Sequence, residues 1–246
     1  MPARGAALVT GAARRIGRAL AIAAAEAGYD VAVHHRDSEQ EAEETAAAVR
    51  ALGVHACVLG GDLAKDPQSL IYEARETLGP VTLLVNNASV FLEDRLDTVA
   101  RETWDAHMEA NLHAPIALTQ AFAAQGGEGL VVNLTDQRVW RPNPQFFSYS
   151  LSKAGLWWAT QTMAQALAPR IRVNAIGPGP TLPSIHQSAE AFEAEAKNVL
   201  LQRRATPGEI AAALRFLIES PSVTGQMIAV DGGQHLAWQT PDIVDH

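Results

Sequence analysis

Ala6-Ala7-Leu8-Val9-Thr10-Gly11-Ala12-Ala13-Arg14-Arg15-Ile16-Gly17 decides how the rest of the chain is read. Its first five residues are a short, nearly apolar run that suits a buried strand, and a glycine-containing turn follows. A helix is expected over residues 16–27, closed by Gly28 as helix ends often are. Strand, glycine turn and helix in that order open a parallel α/β sheet. The same alternation continues. Strands are expected at 30–35, 54–59, 81–85, 130–134, 171–175 and 227–230, and helices at 39–52, 68–78, 102–124, 147–167, 189–200 and 208–218. Ser38 is the expected cap of the second helix, and Pro67 stands at the start of the third. Short continuous apolar strands between helices indicate a sheet covered on both faces. With no repeat, linker or composition break, residues 1–246 read as a single doubly wound Rossmann domain with a parallel seven-stranded sheet.

Composition narrows the class. The chain has 246 residues, 48% of them hydrophobic, enough for one sizeable core. A formal charge of −8 argues against nucleic-acid or membrane-surface binding. Arg14, Arg15 and Arg18 form a basic cluster too short for a nucleic-acid patch, and an anion site suits it better. Cys57 is the single cysteine, so an internal disulfide is excluded and a reducing, cytoplasmic setting is expected. Its apolar neighbours predict an inert, buried thiol. The N-terminus runs straight into a strand, so no signal peptide is expected, and no apolar run is long enough to span a membrane.

The glycine turn after the first strand has the context of a dinucleotide-binding turn. Gly11 permits a tight turn, Gly17 a close approach to pyrophosphate, and the helix N-terminus offers free N–H groups. The second strand ends Val33-His34-His35-Arg36-Asp37, without the acid that usually binds ribose hydroxyls. Arg14 and Arg36 suit a 2′-phosphate, so NADPH is the expected cofactor. The alternative is that Arg36 is a solvated partner of Asp37. His34 and His35 point to opposite faces of a strand, which argues against a metal pair, and no metal site is expected.

Tyr149 and Lys153 lie one helical turn apart on one face. A lysine ammonium there favours the phenolate, which makes the phenol a usable proton donor near neutral pH. Asp136 stands thirteen residues before the tyrosine. The irregular stretch 177–188 follows the sixth strand, where open sheets bind ligands, and reads as a substrate lid continuing towards residue 200 or as an ordinary connection.

Thr10–Gly17, Asn86-Asn87-Ala88-Ser89, Asn111, Tyr149-x-x-x-Lys153, Pro178-Gly179 and Asp231-Gly232-Gly233 occur in the order and spacing of the short-chain dehydrogenase/reductase family, which the chain resembles up to about Leu236. The resemblance implies that Tyr149 donates the proton and Lys153 lowers its pKa and binds the nicotinamide ribose. It also implies that Asn111 holds a water in the proton relay, that Asp62 and Leu63 contact the adenine, and that Asn87 and Ala88 pack along the cofactor. Gly11, Arg14, Arg15, Ile16, His35, Arg36, Ser89, Pro178 and Gly179 complete the implied cofactor contacts.

Two departures stand out. Arg15 occupies the place of the usual middle glycine, and Asp136 that of the usual catalytic serine. Together with Ser89-Val90-Phe91 these resemble pteridine reductases, whose catalytic set is Asp, Tyr and Lys. That resemblance implies a pterin stacked on Phe91, with Arg15, Ser89, Asp136 and Tyr149 also at the substrate. A carboxylate is able to accept from a pterin's amino group and ring nitrogen, and a flat ring stacks well on an aromatic face. The residues alone leave Phe91 open as a core or loop anchor and Asp136 as a cap. An ionised Asp136 near Tyr149 also opposes Lys153, so a joint titration is expected.

The expected activity is NADPH-dependent reduction of a pterin or folate-like substrate. A general carbonyl/alcohol oxidoreductase is the near alternative, and a non-catalytic NADP(H)-binding sensor the distant one; intact Tyr149, Lys153 and Asn111 speak against the sensor. Trp140 and Arg141 either line the substrate site or shield it, and a lone loop histidine such as His186 is usually a surface residue. The resemblance implies a homo-oligomer, dimer or homotetramer, with Trp157 and Trp158 at an interface or in the core. The tail 237–246, with Trp238 and Ile243, is expected to dock on a neighbouring subunit.

Overall fold

The computed structural model describes residues 4–183 and 188–238. Seven parallel strands form one sheet in the order β3-β2-β1-β4-β5-β6-β7. They are β1 Ala6–Val9, β2 Asp30–His35, β3 Ala56–Gly60, β4 Val81–Asn86, β5 Gly129–Leu134, β6 Ile171–Pro178 and β7 Met227–Val230. The helices are α1 Arg15–Glu26, α2 Glu39–Arg50, α3 Ser69–Leu78, α4 Arg101–Met108, α5 Ala114–Ala124, α6 Phe147–Leu167, α7 Ala189–Lys197 and α8 Pro207–Glu219.

Alternation along each strand feeds two cores. Ala7 and Val9 of β1 join Leu20 of α1 and Leu214 of α8 on one face, while Ala6 and Leu8 join Leu70 of α3 and Leu118 of α5 on the other. β1 pairs with β2 through Val9 and Val33 and with β4 through Val9 and Val85. Chain order reverses direction there, so a crevice opens at the carboxyl ends of β1 and β4.

Several expectations need correction. The single helix expected at 102–124 is two helices joined by a π turn, Glu109–His113, in which Ala114 donates to the Glu109 carbonyl. Pro115 lacks the N–H that a regular helix would send back to Asn111, and the ladder slips by one residue. Ser38 makes no side-chain cap, and α2 instead begins with Glu39 and Glu41 against its positive end. β3 starts at Ala56 and β6 runs on to Pro178. Cys57 is half-buried rather than enclosed, although burial still pushes its thiol up to about 11, which keeps it unreactive near neutral pH. His186, Ile243 and the rest of 239–246 lie outside the described residues. Among the described residues, no helix is long and apolar enough to cross a membrane.

Candidate active site

The turn between β1 and α1 is built by hydrogen bonds before any ligand is considered. Gly11 takes φ +61°, where a Cβ would meet Ala88 Cα at 3.0 Å. A Cβ on Gly17 would fall 2.0 Å from the Gly11 carbonyl oxygen. The turn folding on itself is therefore what demands Gly17, and the expected approach to pyrophosphate is not needed to explain it. Asn87 Nδ2 donates to the carbonyls of Thr10 and Gly11 at 2.8 and 3.0 Å, and Thr10 Oγ1 accepts from the N–H groups of Asn87 and Ala88. Gly11 N–H donates to His34 Nδ1 at 3.1 Å, which fixes the proton on Nε2, facing the Gly61 carbonyl. Burial lowers the His34 pKa to about 4. His34 is thus the bolt between turn and sheet.

A cleft of about 680 Å³ runs from this turn along the ends of β2 and β4. Gly11, Arg14, Arg15 and Ile16 form one wall, His35, Arg36, Asp62 and Leu63 the far end, and Asn87, Ala88 and Ser89 the other wall. Tyr149, Lys153, Pro178 and Gly179 do not line it. Gly179 instead donates its N–H to Val230, and its missing Cβ makes room for Asp231 at 2.6 Å. Arg36 pairs with Asp37 at 2.7 Å and Arg14 with Glu41 at 3.5 Å, both at the exposed rim. Such exposed pairs are weak enough to yield to a phosphate. His35 Nδ1 is buried without a partner beside them. Two guanidiniums and an orphaned imidazole nitrogen, with no acid at the end of β2, fit a phosphorylated dinucleotide. Arg15, at φ +56°, donates to the carbonyls of Leu182 and Pro183 at 3.3 and 3.0 Å. It ties the turn to the segment after β6 while lining the cleft.

The candidate proton-transfer residues sit where β5 ends and α6 begins. Asp136 caps a short 3-10 turn, Gln137–Val139, its Oδ1 accepting from Arg138 N–H at 2.9 Å. Tyr149 Oη donates to Asp136 Oδ2 at 2.9 Å. Lys153 Nζ donates to the Leu134 carbonyl at 2.7 Å and lies 5.8 Å from the Tyr149 ring centre. All three are deep enough for burial to push each towards neutrality. Burial raises the Asp136 carboxyl, with Arg138 opposing, and lowers the Lys153 ammonium to about 8. Tyr149 is raised well above its ordinary value by burial and then by Asp136. The expectation that Lys153 lowers the tyrosine is therefore corrected: a neighbouring carboxyl and burial dominate an ammonium that spends its hydrogen bond on a carbonyl.

The segment carrying Ser89 and Phe91 is fixed from α4, the π turn and α6. Asn111 Oδ1 accepts from Val90 N–H at 2.8 Å and Ser89 Oγ at 3.1 Å, while its Nδ2 donates to the Val90 carbonyl and Ser152. The Asn111 side chain is fully engaged in holding this loop. Leu92 N–H donates to His107 Nε2 at 3.0 Å, so Nδ1 carries the proton and donates to Ser148 Oγ at 2.7 Å. Ser148 Oγ in turn donates to Asp94 in a very short bond, and Ser148 N–H adds a second contact. Asp94, His107 and Ser148 were not singled out in the sequence. The available signal was that His107 stands one turn before Asn111 on the same helix.

Phe91 stacks on Phe146 at 4.2 Å and meets Tyr149 edge-on at 4.7 Å. Phe146 itself holds φ +54° at the start of α6, costly for an aromatic residue. Trp140 does not turn into the site: it packs on Trp157 and His235, and Arg141 donates to the Gln234 carbonyl. Trp158 is exposed on α6. Among the described residues, no group of three or more His, Cys, Asp or Glu forms a metal site.

The profile of the enoyl-(acyl carrier protein) reductase family matches residues 11–235. The 3-oxoacyl-[acyl-carrier-protein] reductase FabG of Staphylococcus epidermidis is 32% identical over 240 residues, covering 94% of this chain and 98% of its own. FolM alternative dihydrofolate reductase 1 from Brucella suis, solved with NADP, superposes with a TM-score of 0.95 at 49% identity, covering 99% of this chain and all of its own. The Brucella canis protein of the same name, also with NADP, gives 0.96 at 49% identity over 99% of each chain.

Proposed function

Since the chain belongs to the short-chain dehydrogenase/reductase family, we propose that it is an NADPH-dependent reductase of a pterin or folate-like substrate. The coarse activity is that of an NADP-dependent short-chain reductase. The observation that carries the finer reading is the part-buried Asp136–Tyr149 hydrogen bond of 2.9 Å. A carbonyl oxygen needs only a neutral hydroxyl, whereas a ring C=N offers a nitrogen to protonate and, in a pterin, an amino group to hold. A carboxyl whose acid form is favoured by burial over that of an ordinary one serves both needs. The FolM likeness at 49% identity supports the same substrate class.

The residues divide the work. Gly11, Asn87 and the N-terminus of α1 shape the cradle for the dinucleotide phosphates, and Arg14 and Arg36 stand ready for a 2′-phosphate. The bound cofactor supplies the hydride, which goes to the ring carbon. Tyr149 Oη and Asp136 Oδ2 share the proton that passes to the ring nitrogen. Lys153 keeps positive charge behind them, and Phe91 offers the face on which a flat ring rests. The exposed Trp158 and Leu151 of α6 support assembly into a homo-oligomer through that helix.

The test is NADPH consumption with a dihydropterin, dihydrofolate, a 3-oxoacyl thioester and a panel of ketones. The ring substrates are expected to lead in kcat/KM by about tenfold or more. A lead for the thioester selects carbonyl reduction instead, the second reading favoured by the FabG relatives. Arg36→Ala is expected to raise KM for NADPH about tenfold and leave that for NADH unchanged. Equal KM values for the two cofactors in the unmodified protein would remove the 2′-phosphate assignment.

A further inference from the structure

We infer that Arg138 is a substrate-binding residue that recognises a carboxylate carried on the side arm of the flat ring, which directs the enzyme to folate-like rather than bare pterin substrates; this rests on the ring-reductase reading above. Arg138 follows Asp136 in the turn after β5. Its guanidinium carbon lies 5.0 Å from the centre of the Phe146 ring and 5.8 Å from that of Phe91. Nη1 is buried and has no hydrogen-bond partner. Among the described residues the side chain makes no ion pair. Asp136 forms none with it: its Oδ1 accepts from the Arg138 backbone N–H and its Oδ2 from Tyr149.

A guanidinium stays protonated throughout the working pH range, so burying part of it without an anion is unfavourable. Contact with two aromatic faces offsets a fraction of that cost. The remainder is relieved by a ligand that brings its own negative charge. A neutral ring oxygen satisfies one N–H, but a carboxylate matches both the charge and the fork of donors. The position fits such a ligand: Arg138 is the cation beside the aromatic face expected to hold the ring, and its charge acts on Asp136 and Tyr149. A substrate carboxylate there tethers the ring without occupying the proton-donating atoms.

The experiment compares two substrates that share the reducible ring, 6-methyl-7,8-dihydropterin without a carboxylate and dihydrofolate with its glutamate. KM and kcat are measured for the unmodified protein, Arg138→Gln and Arg138→Lys, each loaded with NADPH. Arg138→Gln is expected to raise KM for dihydrofolate by about 10- to 100-fold, while any change in kcat, from losing its charge beside Asp136 and Tyr149, should be the same for both substrates. Its KM for the dihydropterin should stay within about twofold, and Arg138→Lys should recover part of the dihydrofolate loss. Folate binding to the NADP-loaded protein, followed by tryptophan quenching, should weaken in parallel. Equal KM changes on both substrates, or none on either, would overturn the assignment while leaving ring reduction intact. An unmodified protein that reduces neither ring overturns both readings.

Discussion

Ser148 and Tyr149 are chain neighbours on α6, and each hydroxyl meets a carboxyl, yet the two clusters behave oppositely. In the first, His107 Nε2, His107 Nδ1, Ser148 Oγ and Asp94 Oδ2 form an unbroken relay from the Leu92 N–H. Every donor has an acceptor, and the product is a fixed loop. In the second, burial pulls Asp136, Tyr149 and Lys153 towards their neutral forms, and Arg138 beside them is left partly unpaired. One helical step separates them, about 100° of rotation, so they face different neighbours. A satisfied network gives rigidity, whereas an under-satisfied one keeps protons that are able to move.

Tyr149→Phe attacks the second cluster alone. Turnover should fall by about 10²- to 10⁴-fold, with NADPH affinity and thermal stability nearly unchanged. A variant retaining more than about a tenth of the activity would remove the phenol from proton transfer.

Ser148→Ala attacks the first. It strands the His107 Nδ1 proton and strips Asp94 of its closest donor, at a cost of about 1–3 kcal/mol in unfolding free energy. Denaturant unfolding should register that loss, and kcat should change far less than in Tyr149→Phe. If Ser148→Ala abolished turnover in a protein of undiminished stability, the division between the clusters would fail.

The gentlest probe is pH, which should separate the clusters by sign. Lys153 titrates near 8, and Asp136 holds its acid form to higher pH than an ordinary carboxyl. Turnover should therefore decline on the alkaline side, by at most about tenfold per unit for one proton. His107 is lowered by burial, so the unfolded chain takes up its proton first as pH falls. Its stability contribution is complete above about 6.5 and lost on the acid side, and His34 adds to it with the same sign. An acid limb in turnover without an acid limb in stability would reverse the assignment.

Much of this was legible in the sequence because it depends on local pattern. Alternating apolar runs and helical spacings specify strands, helices and their order. The spacing of Tyr149 and Lys153 puts them on one face of a helix, and the family resemblance singles out Asp136 beside them. The π turn was not legible, since it follows from Pro115 acting on a bond to Asn111 within an otherwise regular helical pattern. Nor was the role of Asn111, because a polar side chain facing a loop 21 residues away in sequence has no local signature.

The sequence by itself therefore determined a parallel doubly wound domain and a glycine turn after β1, while the family resemblance pointed to Asp136, Tyr149 and Lys153 as candidates for proton transfer. Periodicity and turn chemistry carry the fold, and both act over a few residues. Only the tertiary structure decided which groups share a proton. Charge state depends on burial and on partners brought from distant segments: Asp136 reaches Tyr149 across the end of the sheet, Lys153 turns to a carbonyl instead of the phenol, and Arg138 is left facing two aromatic rings without an anion.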